Sequence, residues 1–289
     1  MKSKYFIVTV IGFVFILVGL RFANTFKNIQ PNKISRAEAY KYKQAMQCSP
    51  DWSKIDVDSL AREIGELPGW GNYRWKINTT SDSAQFYFNQ GINMYYAFHI
   101  IESMSSFKKA EQFDSTNAMI YWAQALAYGP NINDYEYANT PDAYQAAQKA
   151  VLYSKSCTPR EMELINAMSV RYSSDSTESR KLLNRAYANA MKKSYLLFYN
   201  DQDMGALYAD ALMLQHPWNY WKHNGDAQVW TPEILSVLEN VLSKNPDHPG
   251  ANHYYIHSVE ASHQPQKALP SADRLGILMP GVSHMIHMP

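Results

Sequence analysis

The fold of this chain is decided by residues 238–281, which read LENVLSKNPDHPGANHYYIHSVEASHQPQKALPSADRLGILMPG. Apolar residues recur there at helical spacing, and the prolines end each helical run. Pro246 and Pro280 stand thirty-four residues apart, and Leu238 and Ala272 keep the same separation. A recurrence of this length predicts a repeated helix–turn–helix unit.

The same rhythm extends back to Ser81. Helical patterns of ten to twenty residues alternate with short turns, and no convincing β-alternation interrupts them. The sequence therefore predicts an all-α fold. The predicted helix pairs are 84–117, 118–128 with 141–155, 158–172 with 177–195, 203–214 with 232–243, and 249–282.

These intervals resemble the tetratricopeptide repeat, a unit of two helices with small residues where the helices touch. The resemblance is good for residues 84–117, where Gly91 takes the close-packed position, and for 249–282. Asn252 replaces a usual tryptophan and Ile256 a usual glycine. The phrases YFNQG, AYGPNIND, HPGANHYYIHSVEAS and HMIHMP also resemble a bacterial group of exported tetratricopeptide proteins. The resemblance implies a right-handed α-solenoid whose first helices line a concave groove.

The repeat phase implies which residues face that groove. His253, His257 and Glu260 fall on the lining positions of one first helix, and His284 and His287 on those of the next. A peptide, a protein or a small polar ligand is the expected partner. The further candidates for groove binding are Asn252, Asn131, Asn133, Trp122, Trp218 and Trp221.

Helical geometry supports a metal site independently of the resemblance. At 100° per residue, His253, His257 and Glu260 lie within roughly 60° of one another. Two imidazoles one turn apart chelate a divalent ion, with Zn²⁺ the first expectation, and His284 or His287 of the next helix would complete the site. Glu260 is a third ligand or a general base. The pattern is not HExxH, since its glutamate follows the second histidine.

We expect a scaffold that binds a ligand in its groove, because groove recognition is what this architecture usually provides. The alternative is a metal-dependent enzyme, with a hydrolase expected, in which His253, His257 and His287 hold the ion. A third interpretation is that the histidines form a structural hydrogen-bond cluster. No phosphate loop, dinucleotide fingerprint or nucleophile elbow occurs. The 27 basic and 26 acidic side chains nearly balance, so the chain has no large positive net charge that would attract nucleic acid.

The N-terminus predicts export. Lys2 and Lys4 precede an uncharged run from Tyr5 to Leu20, and Arg21 ends it. We expect residues 1–23 to be an uncleaved helical anchor in the inner membrane, with the rest periplasmic; the alternative is secretion after cleavage. Cys48 and Cys157 would then meet an oxidising compartment, where they either pair or stay isolated.

The remaining organisation follows from composition. Residues 24–80 contain LPGWGNYRW, in which Pro68, Gly69 and Gly71 break any helix, and are predicted to be a linker and N-terminal cap. Residues 81–289 are predicted to be the repeat domain. The final SHMIHMP supplies only the first turns of another helix, so we expect a truncated array.

Overall fold

The computed structural model describes residues 50–134 and 141–288, all of which belong to one compact unit of the chain. This part contains twelve α-helices and no strand beyond an isolated bridge between Trp221 and Ala227. The all-α prediction is therefore confirmed. The helices are α1 Val57–Glu63, α2 Asp82–Tyr96, α3 Ile100–Phe113, α4 Ala118–Tyr128, α5 Pro141–Leu152, α6 Pro159–Ser169, α7 Arg180–Leu197, α8 Gln202–Met213, α9 Thr231–Lys244, α10 Pro249–Val259, α11 Leu269–Leu278 and α12 Ser283–His287.

Several sequence predictions concern residues outside the described ranges. These are the anchor over residues 1–23, residues 24–49 of the predicted linker and cap, and Cys48, so its pairing with the half-buried Cys157 stays a prediction. Within the described ranges, none of the helices is both long and apolar enough to cross a bilayer.

Helix starts follow local capping chemistry. Thr158 and Glu161 form a capping box at the start of α6, with Pro159 in the first helical position. At α10 the cap is a histidine: the Nδ1 atom of His248 accepts a hydrogen bond from the backbone N–H of Ala251 at 3.1 Å. This cap fixes where the histidine-bearing helix begins.

Consecutive helices pack as pairs, namely α2 with α3, α4 with α5, α6 with α7, α8 with α9, and α10 with α11. Gly91 marks the closest approach in the first pair, because a Cβ atom there would stand 2.4 Å from the Phe107 ring. Ser103 donates a hydrogen bond to the Gly91 carbonyl at 2.8 Å. The small residues at this crossing are those that the sequence predicted.

Helices α4 and α10 form the interior of the described structure. Every residue of α4 and of α10 is buried. Helix α10 contacts α2 and α8 as well as its partner α11, and α4 contacts α2 and α6. Helices that are buried on all sides belong to a core. In the described residues, the side of α10 that faces α2 is covered rather than open.

The segment between α1 and α2 packs along α2. Amide side chains of α2 bond its backbone: Gln90 accepts from Leu67 N–H at 2.9 Å, and Asn89 accepts from Trp75 N–H at 3.0 Å. Such bonds satisfy backbone groups that no strand or helix pairs. The segment is thereby held in one place without secondary structure.

Two glycines join this segment to the end of the chain. The N–H of Gly281 donates to the Gly69 carbonyl at 3.0 Å, and a Cβ atom on Gly281 would stand 1.8 Å from the Pro68 carbonyl oxygen. Gly69 has a φ of +62°. Only glycine permits so close a backbone approach. The contact fixes the start of α12, which carries His284.

Candidate metal centre

Three histidines converge between α10 and α12. The Nε2 atom of His253 lies 3.1 Å from Nε2 of His257 and 3.0 Å from Nε2 of His284. One ligand atom from each ring lies within 4.8 Å of the others. His253 and His257 share a face because they are one helical turn apart. The predicted cluster is therefore present with three of its four histidines.

Hydrogen bonds on the far side of two rings fix their tautomers. His253 Nδ1 lies 2.6 Å from the carbonyl oxygen of Tyr96, and His257 Nδ1 lies 3.3 Å from Oε1 of Glu260. Carbonyl and carboxylate oxygens only accept, so each Nδ1 carries the proton. In the neutral rings, both Nε2 atoms then present lone pairs.

The short contacts are unfavourable without a cation. If both rings are neutral, His253 and His257 direct two lone pairs at each other across 3.1 Å, and His284 has only one ring N–H to donate. A divalent ion placed among the three Nε2 atoms would accept all three lone pairs. Nitrogens bound to one tetrahedral Zn²⁺ stand about 3.4 Å apart, so the rings would rotate to bring three atoms that lie within 4.8 Å of one another to this spacing.

Burial keeps two of the rings in the form that binds metal. Burial first, and then the neighbouring imidazoles of His257 and His284, hold the pKa of His253 well below its usual range. Burial and the charge of His257 lower the pKa of His284 to about 4. Both rings are therefore neutral at physiological pH, so a metal ion would not have to displace a proton from the ring nitrogen that binds it.

Two aromatic side chains enclose the histidines. The Phe98 ring lies 4.5 Å from the ring of His253 and stacks on that of His257 at 6.1 Å. The Trp218 ring meets the His257 ring edge-on at 5.0 Å. Their backbones have φ of 57° and 59°, a region that bulky residues rarely occupy. Strained backbone of this kind concentrates at functional sites.

The structure departs from the sequence prediction at His287 and Glu260. His287 is exposed and does not belong to the converging group, because the short α12 buries Met285 and turns His284 alone toward α10. Glu260 lies behind His257, on its Nδ1, with 45% of its side chain exposed. It is placed to orient a ligand rather than to be one.

The predicted groove residues do not share one surface. Trp122 and Asn252 are 1% and 0% exposed, and Asn131 is also buried, so none of these three side chains faces an open groove. The physical reason is that α4 and α10 are core helices. Asn133 is partly exposed in the turn after α4, and its N–H bonds the Asn131 side chain.

Two of the predicted groove residues, Trp218 and Trp221 in the segment before α9, do lie near the histidines. Trp221 donates from Nε1 to the carbonyl of Ser258 on α10 at 2.7 Å, and Trp218 contacts His257 as described. Sequence reasoning missed Phe98 and the Tyr96 carbonyl. No local motif marks them, since the left-handed turn after α2 has phenylalanine where glycine is usual.

Comparisons with protein-family models, with curated proteins and with solved structures gave no match to this chain. The resemblance to tetratricopeptide repeats thus stands on the sequence pattern alone.

Proposed function

We propose that this protein binds a divalent transition metal, with Zn²⁺ the first candidate, through His253, His257 and His284. The observation that carries the proposal is the convergence of three Nε2 atoms, two of which have their protons fixed on the opposite nitrogen. Metal-binding histidines typically donate the second ring N–H to a carbonyl or carboxylate. Tyr96 and Glu260 supply both kinds of acceptor.

The ligand set selects the class of ion. Imidazole nitrogens suit Zn²⁺, Cu²⁺ and Ni²⁺, whereas Ca²⁺ and Mg²⁺ require oxygen ligands. No cysteine stands in the group, and among the described residues no carboxylate joins the three histidines. Availability and tetrahedral preference favour Zn²⁺ within this class.

Three protein ligands are the number found in catalytic zinc sites, which keep a fourth position for water or substrate. A metal held in this way supplies a Lewis acid and a nucleophilic hydroxide near neutral pH. A metal-dependent hydrolase is therefore the enzymatic function that we propose. His253, His257 and His284 hold the ion in this scheme, and Glu260 positions His257.

The second candidate is the ligand-binding scaffold, a right-handed solenoid of tetratricopeptide-like pairs. The packing of consecutive helices in pairs supports it. The burial of Trp122 and Asn252 favours the metal centre over groove binding. Export and membrane anchoring remain part of the proposal on the strength of residues 1–23.

Metal titration of the full chain in detergent tests the function. After removal of metal with a chelator, we expect one Zn²⁺ per chain, and His253→Ala should weaken binding at least a hundredfold. His287→Ala is the matched control, because this exposed histidine shares α12 with His284 but lies outside the group. Equal binding by both variants, or no binding by the unaltered chain, would contradict the proposal.

A further inference from the structure

Phe98 and Trp218 share an unusual backbone conformation beside the histidines. They are the only non-glycine residues with positive φ in the part of the chain that the structure describes. This region crowds the Cβ atom against the backbone and persists only where the surroundings enforce it. Both rings lie against His257 of α10, and neither residue is itself part of a helix. The coincidence ties the two strained positions to the metal centre.

The two aromatic residues differ in exposure. Phe98 is 3% exposed and forms the inner wall, whereas Trp218 is 45% exposed. His257, which Trp218 contacts, is only 6% exposed. The indole therefore lies on the solvent side of His257. A molecule that approaches the centre beside this ligand meets the indole first.

The segment that carries Trp218 is anchored on both sides of this residue. Trp221 holds it to α10 through the 2.7 Å bond to the Ser258 carbonyl. The Trp230 Nε1 donates to the Asn219 carbonyl at 2.8 Å, and the Trp230 ring stacks on His216 at 3.6 Å. The Trp218 ring packs against His257 and stays half-exposed. An apolar ring kept at the surface by a fixed segment is suited to contact a ligand.

We propose that Trp218 is the specificity-determining residue of the metal centre. It selects ligands in which a small metal-binding group, such as a carbonyl-based chelator, is attached to an aromatic ring that packs on the indole. This inference rests on the proposed metal function and deepens it by naming the ligand class. Aromatic pairs prefer offset or edge-on packing, which the exposed part of an indole offers.

The test uses the full chain loaded with Co²⁺, whose visible spectrum reports ligand binding. The probes are benzohydroxamate and acetohydroxamate, which chelate through the same atoms and differ in a phenyl or a methyl group. The unaltered protein is expected to prefer benzohydroxamate. Trp218→Gly should lose about tenfold in benzohydroxamate affinity and little in acetohydroxamate affinity. Trp218→Phe, which keeps a ring, should retain most of the preference.

Glycine is the informative substitution, because it adopts the φ of 59° without strain and spares the backbone of the segment. If both affinities fall equally in Trp218→Gly, or if the preference survives, Trp218 is only a seal and the inference is wrong. Co²⁺ stoichiometry is measured in the same samples. Normal Co²⁺ uptake with an unchanged preference overturns this inference alone, whereas no uptake by the unaltered chain overturns the metal function as well.

Discussion

At the residue scale, the groups behind the ligands decide what the histidines can do. Tyr96 and Glu260 each hold a proton on Nδ1 of a ring, which leaves Nε2 free to bind metal. A histidine without such an acceptor samples both tautomers. The predicted role of Glu260 as a direct ligand or general base thus gives way to a positioning role in our proposal.

Glu260→Gln should weaken Zn²⁺ binding about tenfold. Loss of a group that hydrogen-bonds a metal ligand weakens metal affinity by about 10- to 100-fold, and we expect the smaller effect because this carboxylate is partly exposed. The amide can still accept a hydrogen bond but no longer offers a negative charge. Competition titration against a chelator measures the change. Glu178→Gln on the exposed surface is the control, and an equal effect in both variants would deny Glu260 its role.

Asp210 gives the chain a pH dependence independent of metal. This residue of α8 is fully buried and accepts a hydrogen bond from the Tyr95 hydroxyl at 3.2 Å. Burial raises its pKa from 3.8 to about 6. Between these two values the folded protein keeps a proton that the unfolded chain has lost. The free energy of unfolding therefore falls as pH rises through this window.

Asp210→Asn should remove that loss, because the amide stays neutral at every pH. Its gain in free energy of unfolding over the unaltered chain should grow from pH 4 to pH 7 and then level off at about 3 kcal/mol. This value follows from the pKa shift of Asp210, at about 1.4 kcal/mol for each pKa unit. Urea unfolding at several pH values measures it. Asp226→Asn is the exposed control. A gain that does not change with pH would contradict the assignment.

At the element scale, the sequence predicts α10 and the start of α12 at Ser283, but not which histidine of α12 meets α10. The spacing of His253 and His257 within one helix fixes their common face, and any helical structure preserves it. The choice between His284 and His287 depends on how the five-residue helix is oriented against α10. The contact of Gly281 with Gly69, made far along the chain, decides that. The Tyr96 carbonyl is likewise 157 residues from His253 and carries no sequence signal.

Two glycine substitutions test the control of α12 by this contact. Gly281→Ala would place a Cβ atom 1.8 Å from the Pro68 carbonyl oxygen, so we expect about 1–3 kcal/mol of destabilisation and weaker Zn²⁺ binding. Gly276→Ala, in α11, meets nothing within 4 Å and should stabilise the protein by about 0.5–1 kcal/mol with unchanged metal affinity. Thermal unfolding and metal titration measure both. Unaltered metal affinity in Gly281→Ala would show that this contact does not control the position of α12.

At the scale of the whole molecule, a buried carboxylate joins distant parts of the chain. Asp203 at the start of α8 accepts hydrogen bonds from Tyr73 at 2.8 Å and Tyr96 at 3.0 Å, and Arg160 and His248 also contact it. Burial by itself raises the pKa of Asp203, but the bond from His248 and the charge of Arg160 outweigh burial and lower it. The network positions α10 against α2.

Asp203→Ala should therefore destabilise the protein by about 3–5 kcal/mol, because it removes the shared acceptor of Tyr73, Tyr96 and His248 and leaves Arg160 with Asp201 alone. Asp247→Ala, at an exposed position before α10, should change stability by less than about 0.5 kcal/mol. Chemical denaturation compares the two. Similar stability in both variants would show that the network does not hold the interior together.

X-ray absorption at the zinc edge of the loaded full chain tests the central claim most directly. We predict three imidazole nitrogens and one light-atom ligand at about 2.0–2.1 Å, with one imidazole lost in His284→Ala and none in His287→Ala. A sulfur ligand, a shell made only of oxygen, or an identical spectrum for His284→Ala would contradict the three-histidine centre.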